Sequence, residues 1–279
     1  MPQSFLVAYQ TAVEDDNLKL PLLPKVHSEV LGLAASDQGN ASEFSRLIQQ
    51  DQTLAAEVLR IANSSVFARR GHITSLKQAT IRLGTDLLTQ IAMVAIMAKN
   101  LFNIPQFKKP LRYIWRHALA SSNFAKEIAR GRHNVEGAFL CGLLHSVGKP
   151  VVFNVIADLM EQKKVRLTES AASSLVENSY QRVGERLAVK WRLPASVRMA
   201  IMHHNDYAIV QTCANEVAIT HLACQFGTFL LDPLETREAE IRCNPVREAL
   251  NLYEDDLDTL FAAGTKIIAT VEELDKVLK

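Results

Sequence analysis

Of the eight histidines in this 279-residue chain, four stand where they could do chemistry: His117, His145 and the adjacent pair His203 and His204. Near neutral pH an imidazole can take up a proton, give one away, or offer a lone pair to a borderline metal such as zinc. His117 follows Ile114 by three residues and precedes Ser121 by four and Phe124 by seven, a spacing that sets it on the inward face of a helix. A single inward histidine is ordinarily a hydrogen-bonded core residue. His145 closes a helix that carries Ala138, Cys141 and Gly142, small residues that let a second helix come close. Gly148 and Lys149 behind it read as helix terminators, glycine for its access to positive φ and lysine for its charge at the negative helix end. His203 and His204, ahead of Asn205, suit a helix end with one ring facing in and the other out.

The elements that must hold these side chains are helical. Apolar residues recur at three and four positions almost throughout, and strand signals are scarce, so the fold class is all-α. Asp51 caps a helix whose inward stripe is Leu54, Ala55, Val58, Leu59 and Ala62, with Asn63 placed for a left-handed C-terminal residue. Ser75 and Gln78 have capping-box spacing, and Gly84 ends the helix that starts there. Leu20 to Pro24 supplies two prolines before another helix. The run Ile91 to Ala98, bounded by Gln90 and Lys99, is far shorter than the roughly 20 apolar residues of a membrane span and reads as a buried core helix within about 86–99. Asn103 to Pro110, with Pro105, Lys108, Lys109 and Pro110, has the composition of a connection, which divides the chain into units at 15–105 and 110–279. Beyond it, helices are expected at about 111–130, 135–146, 150–160, 179–192, 195–204, 211–229, 246–253 and 256–278.

Composition narrows the function classes. With 31 basic and 30 acidic side chains there is no global field to draw the protein onto nucleic acid. The local basic clusters, Lys108 with Lys109, Arg130 with Arg132, and Lys163, Lys164 with Arg166, read as solvated helix ends and loops. Met1 to Gln10 lacks the pattern of a secretory signal, and Cys141, Cys213, Cys224 and Cys243 form no Cys-x-x-Cys pair, so a reducing, cytoplasmic setting without membrane attachment is expected.

The order of the pieces resembles the HD superfamily of metal-dependent phosphohydrolases. In that superfamily a histidine on one helix, a His-Asp doublet ending the next and a later aspartate hold the metal. His117, in Trp115-Arg116-His117-Ala118, matches the first histidine, and His145-Ser146, in Leu143-Leu144-His145-Ser146-Val147-Gly148-Lys149, matches the doublet with serine in place of aspartate. The closing aspartate falls at Cys224 in Thr220-His221-Leu222-Ala223-Cys224. Against the HD-GYP relatives, Tyr180 stands at one additional histidine, and His203-His204 matches the double histidine but is followed by Asn205 instead of glutamate.

The first half is the more specific match. Leu59-Arg60-Ile61-Ala62-Asn63-Ser64, then Ile73-Thr74-Ser75-Leu76-Lys77-Gln78-Ala79 and Leu83-Gly84, resembles the HDOD signature, and Leu20-Pro21-Leu22-Leu23-Pro24 resembles that family's opening. Trp191-Arg192-Leu193-Pro194 resembles its approach to the double histidine, and the likeness runs over about residues 15 to 230. It implies an N-terminal HDOD helical bundle packed on an HD-like helical bundle, in a bacterial signal-transduction protein. No further regulatory domain is expected within this chain, so input and output would pass through separate signalling partners.

Mg²⁺ and Mn²⁺ favour oxygen ligands whose negative charge offsets lost hydration, and Ser146 and Cys224 supply none. The resemblance therefore implies a regulatory module with no catalytic residue and no resident cofactor. Its vestigial pocket, His117, His145, Ser146, Lys149, His203, His204 and Cys224, would be open to a nucleotide or another anion. The alternative is a divergent phosphohydrolase, for example one with Zn²⁺ held by His117, His145 and Cys224.

Overall fold

Two helices in the first half, Gln52–Ala62 and Leu76–Leu83, begin where a side chain satisfies a backbone N–H that the first turn leaves without a partner. The computed structural model describes residues 2–15, 18–34, 41–67, 72–102, 104–131, 133–212 and 214–276. Asn103, Arg132 and Cys213 lie outside the described residues. In chain order the helices are α1 (Gln3–Glu14), α2 (Lys25–Ala34), α3 (Ala41–Gln49), α4 (Gln52–Ala62), α5 (Leu76–Leu83), α6 (Thr85–Leu101), α7 (Lys108–Ala129) and α8 (Val135–Leu144). They continue as α9 (Gly148–Lys163), α10 (Glu169–Glu177), α11 (Tyr180–Lys190), α12 (Ala195–His203), α13 (Ala214–Leu231), α14 (Glu235–Arg242), α15 (Val246–Ala249) and α16 (Glu254–Asp275). No strand occurs among the described residues, and the fold is all-α.

Asp51 does two jobs with one carboxylate. Its Oδ1 accepts from Leu54 N at 3.0 Å and starts α4, while Oδ2 lies 2.9 Å from Nε2 of the buried His27 and ties α4 to α2. Ser75 accepts from Gln78 N at 3.2 Å, but the return bond of the expected capping box reaches one residue further back, from Thr74 N to Gln78 Oε1 at 2.8 Å. Asn63 is not left-handed, with φ −90°. Its amide instead donates to Leu59 O and Ile73 O, both at 2.8 Å, and accepts from Ile73 N at 2.7 Å, so it pins the return of the chain before α5 to the end of α4.

The reading of Lys108 to Pro110 as part of a non-helical connection and of Gly148 and Lys149 as helix terminators is corrected. Lys108, Lys109 and Pro110 form the first turn of α7, where a missing proline N–H sacrifices no intrahelical bond. Gly148 and Lys149 open α9, whose C-terminal cap is the left-handed Lys164 at φ 53°. The helices α1, α3, α10 and α14 were not expected, although α1 buries Phe5, Tyr9 and Val13 and α3 buries Phe44, Leu47 and Ile48 at helical spacing; α14 buries only Ile241. The segment expected as a helix over 246–253 keeps helical form only to Ala249.

The core is built around two helices. In the first half, α6 is buried continuously from Leu88 to Ala98, packed by α2, α4 and α5 on one side and by α8 of the second half on another. In the second half, α7 lies among α8, α13 and α16. The apolar stretch Val135–Lys163 has the length and composition of a membrane span, but 83% of its most apolar window is inside the fold. The chain also crosses between halves at its start: α1 lies on α9, Tyr9 donates to Leu175 O at 2.8 Å, and Trp191 Nε1 donates to Pro21 O at 3.0 Å.

Candidate functional site

Two glycines allow the close approaches that assemble the site. A Cβ on Gly142 would lie 2.7 Å from Ser122 Cα, so α8 can lie directly against α7 and bring His145 beside His117, with ring centroids 5.3 Å apart. A Cβ on Gly148 would lie 1.9 Å from Tyr180 O, so the starts of α9 and α11 touch and deliver Lys149 and Tyr180 to the same place. The end of α12 adds His204, whose ring lies 5.0 Å from that of His145. Together with Cys224 of α13 these residues line a cavity of about 530 Å³.

Backbone carbonyls set the tautomers, because a carbonyl can only accept. His145 Nδ1–H donates to Gly142 O at 2.7 Å, and His204 Nδ1–H donates to Ala200 O at 2.9 Å, so each neutral ring carries its lone pair on Nε2. His117 is the reverse: its Nε2–H donates to Cys224 O at 3.2 Å, which leaves the lone pair on Nδ1. The Tyr180 hydroxyl accepts from Asn205 Nδ2 at 2.9 Å and donates to His204 Nε2 at 3.2 Å.

Burial keeps the histidines neutral. His117 retains some exposure through the cavity mouth, yet loss of water around its ring, helped by the positive Lys149, lowers its pKa to about 4. Burial likewise takes His204 to about 4 and His145 well below the ordinary histidine range, with the neighbouring rings and Lys149 pushing His145 the same way. The Cys224 thiol is pushed up to about 12 by burial, and the Tyr180 phenol is raised. The standing charges are at the rim, where Lys149 Nζ lies 2.7 Å from Glu177 Oε1 and 4.6 Å from the centre of the Tyr180 ring.

Of the residues expected in the pocket, His117, His145, Ser146, Lys149, His204 and Cys224 line it and His203 does not. α12 ends so that the half-buried His203 lies outside the cavity wall and His204 inside. The donor set also differs from the expected His117, His145 and Cys224. The ligand atoms that come within 4.8 Å of one another belong to His145, His204 and Cys224. His221 lines the cavity as well and was missed. Its Nδ1–H donates to His204 O at 2.7 Å and holds α13 against the end of α12, while its Nε2 accepts from Asn244 at 3.1 Å and ties α13 to the turn between α14 and α15.

A hard divalent cation does not fit this donor set. Glu177 is the one carboxylate among the described lining residues, and it is engaged with Lys149. Neutral imidazoles, a neutral thiol and a carboxylate already paired with Lys149 give Mg²⁺ or Mn²⁺ little to exchange for its water.

An all-helical chain that brings His117 and His221 from within α7 and α13 to one junction with His145 and His204 at the ends of α8 and α12 has the architecture of an HD-like helical protein. The HDOD domain signature matches residues 20–207, and the chain belongs to the HDOD family. Its fold is shared with an HDOD domain protein of unknown function from Geobacter sulfurreducens, at TM-score 0.70 and 24% identity over 97% of both chains. A "Putative phosphohydrolase" from Shewanella amazonensis SB2B has TM-score 0.69 and 21% identity over 98% of both chains. A "Putative signal transduction protein" from Marinobacter aquaeolei VT8 has TM-score 0.70 and 22% identity, over 97% of this chain and 66% of that one. An uncharacterized protein of Treponema pallidum (strain Nichols) is 24% identical over 200 residues, which make up 67% of this chain and 38% of that relative, so the chain spans about two fifths of its length.

Proposed function

We propose that this HDOD protein is a non-catalytic signalling module that works by binding, through a separate protein partner in the cytoplasm, with its HD-like pocket as a site for a nucleotide or another anion. The observation that carries this reading is the charge of the pocket. Positions that resemble the superfamily's metal-holding aspartates are Ser146 and Cys224, and the rings of His117, His145 and His204, kept neutral by burial, share the cavity with Lys149, the one Lys or Arg among the described lining residues, whose partner is the exposed Glu177. Such a pocket suits a ligand that brings negative charge. Its described lining offers no unpaired carboxylate to hold the Mg²⁺ or Mn²⁺ that would activate water and steady an in-line phosphoryl transfer. The test is an assay of the purified chain against phosphodiesters and nucleotides in added Mn²⁺. No turnover above background is expected, and hydrolysis that disappears in His145→Ala would overturn the reading.

A specific observation favours a second reading, a divergent metalloprotein. His145 and His204 each anchor Nδ1–H on a carbonyl and carry the lone pair on Nε2, and their ligand atoms and Cys224 Sγ lie within 4.8 Å of one another, the arrangement that zinc-binding histidines commonly have. Zinc would have to displace the Tyr180 hydroxyl from His204 Nε2 and lower the raised thiol pKa. Elemental analysis separates the two readings: stoichiometric zinc, absent from Cys224→Ser, supports the metalloprotein.

A further inference from the structure

A second and larger cavity, about 750 Å³, lies between the halves of the chain, far from the histidines in the set of residues that line it. Its apolar wall comes from both sides, with Phe67, Leu87, Ile91 and Val94 from the first half and Phe139 and Ile267 from the second. Its size is that of an ordinary small-molecule site.

The polar groups at this cavity are not those of a plain hydrophobic gap. Gln90 is 3% exposed, and its Oε1 accepts from Lys126 Nζ at 2.9 Å. An ammonium can only donate, so this contact fixes the amide orientation and leaves Nε2 of Gln90, a residue of the cavity lining, buried and without a partner. A buried donor left unpaired is costly, and it points to an acceptor that completes it. The described cavity lining also holds Lys126, Arg130, Lys266 and Arg82, against one acid, Glu127, which is paired with Arg130 at 3.0 Å.

We propose that this inter-bundle cavity binds an amphiphilic organic anion, its apolar body against Leu87, Ile91, Val94 and Phe139 and its anionic head accepting from Gln90 Nε2 beside Lys126 and Lys266. Because both halves line the cavity, a ligand there stabilises the docked arrangement over any arrangement in which the halves separate. The site is distinct from the histidine pocket and does not depend on what that pocket binds.

The probe is decanoate, titrated calorimetrically into the full-length chain below its micelle concentration, with inorganic phosphate and decyltrimethylammonium as controls. Saturable one-to-one binding of decanoate is expected, without comparable binding of either control. Lys266→Glu, a change at an exposed position, is expected to weaken binding by about tenfold. Thr270→Trp, which fills the cavity from α16, is expected to abolish it. His145→Ala is expected to leave the affinity unchanged, which separates this site from the histidine pocket. Decanoate binding that is equal in wild type and Thr270→Trp, equal binding of the cationic control, or no decanoate binding at all would each overturn the proposal.

Discussion

Gly148 meets the carbonyl of Tyr180 so closely that no other residue fits: a Cβ at position 148 would lie 1.9 Å from that oxygen and 2.7 Å from Gly184 N. The neighbours are backbone atoms of α11, which cannot rotate away as a side chain can. The contact therefore sets the spacing of α9 and α11 and, with it, the placement of Lys149 and Tyr180 in the pocket.

Gly148→Ala should accordingly destabilise the protein at the upper end of the about 1–3 kcal/mol typical of overpacking, despite alanine's better helix propensity. Urea unfolding followed by far-UV circular dichroism measures the loss. A variant as stable as wild type would mean that α9 and α11 separate freely, and that the pocket is not held by this contact.

The buried imidazoles make stability depend on pH in a defined window. His117 and His204 have folded pKa values of about 4 against the usual 6.5. Above about 6.5 both folded and unfolded forms are neutral, and the full stability is present. As the pH falls toward 4 the unfolded chain takes up protons that the folded chain refuses, so stability drops, on the order of a few kcal/mol per ring at the low end. Chemical denaturation at pH 7.5 and pH 5 should show a clear fall, smaller in His204→Gln. Identical midpoints at the two pH values would mean that these rings are hydrated in the native state.

The halves should not be separable at the connection. α6 buries every residue from Leu88 to Ala98 and meets α8, while α1 lies on α9 and Arg186 donates to Val13 O at 2.8 Å. A fragment of residues 1–105 would expose one flank of α6 and leave α1 without its support, a large apolar patch of the kind that drives association. Size-exclusion chromatography should find it aggregated or unfolded. A monomeric fragment as stable as the whole chain would show that the interface contributes little.

What the sequence determined by itself is whatever depends on residues within one helical turn of each other. The stripe of α4, the Asp51 and Ser75 caps, the inward face of His117 and the place of His145 at a helix end all follow from three- and four-residue spacing, where the interacting groups are neighbours on one surface. The HDOD resemblance was legible for a related reason, since its motifs are runs of adjacent caps and packing residues. Tertiary structure decided the rest. That Gly148 admits a neighbouring helix instead of ending its own depends on Tyr180, and that His204 rather than His117 joins His145 and Cys224 depends on where α12 ends beside α13. Gln90 reads as the boundary of an apolar run until Lys126 claims one side of its amide and leaves the other buried without a partner. Each of these relations joins groups far apart along the chain, and only the packing of whole helices brings them within a few ångströms.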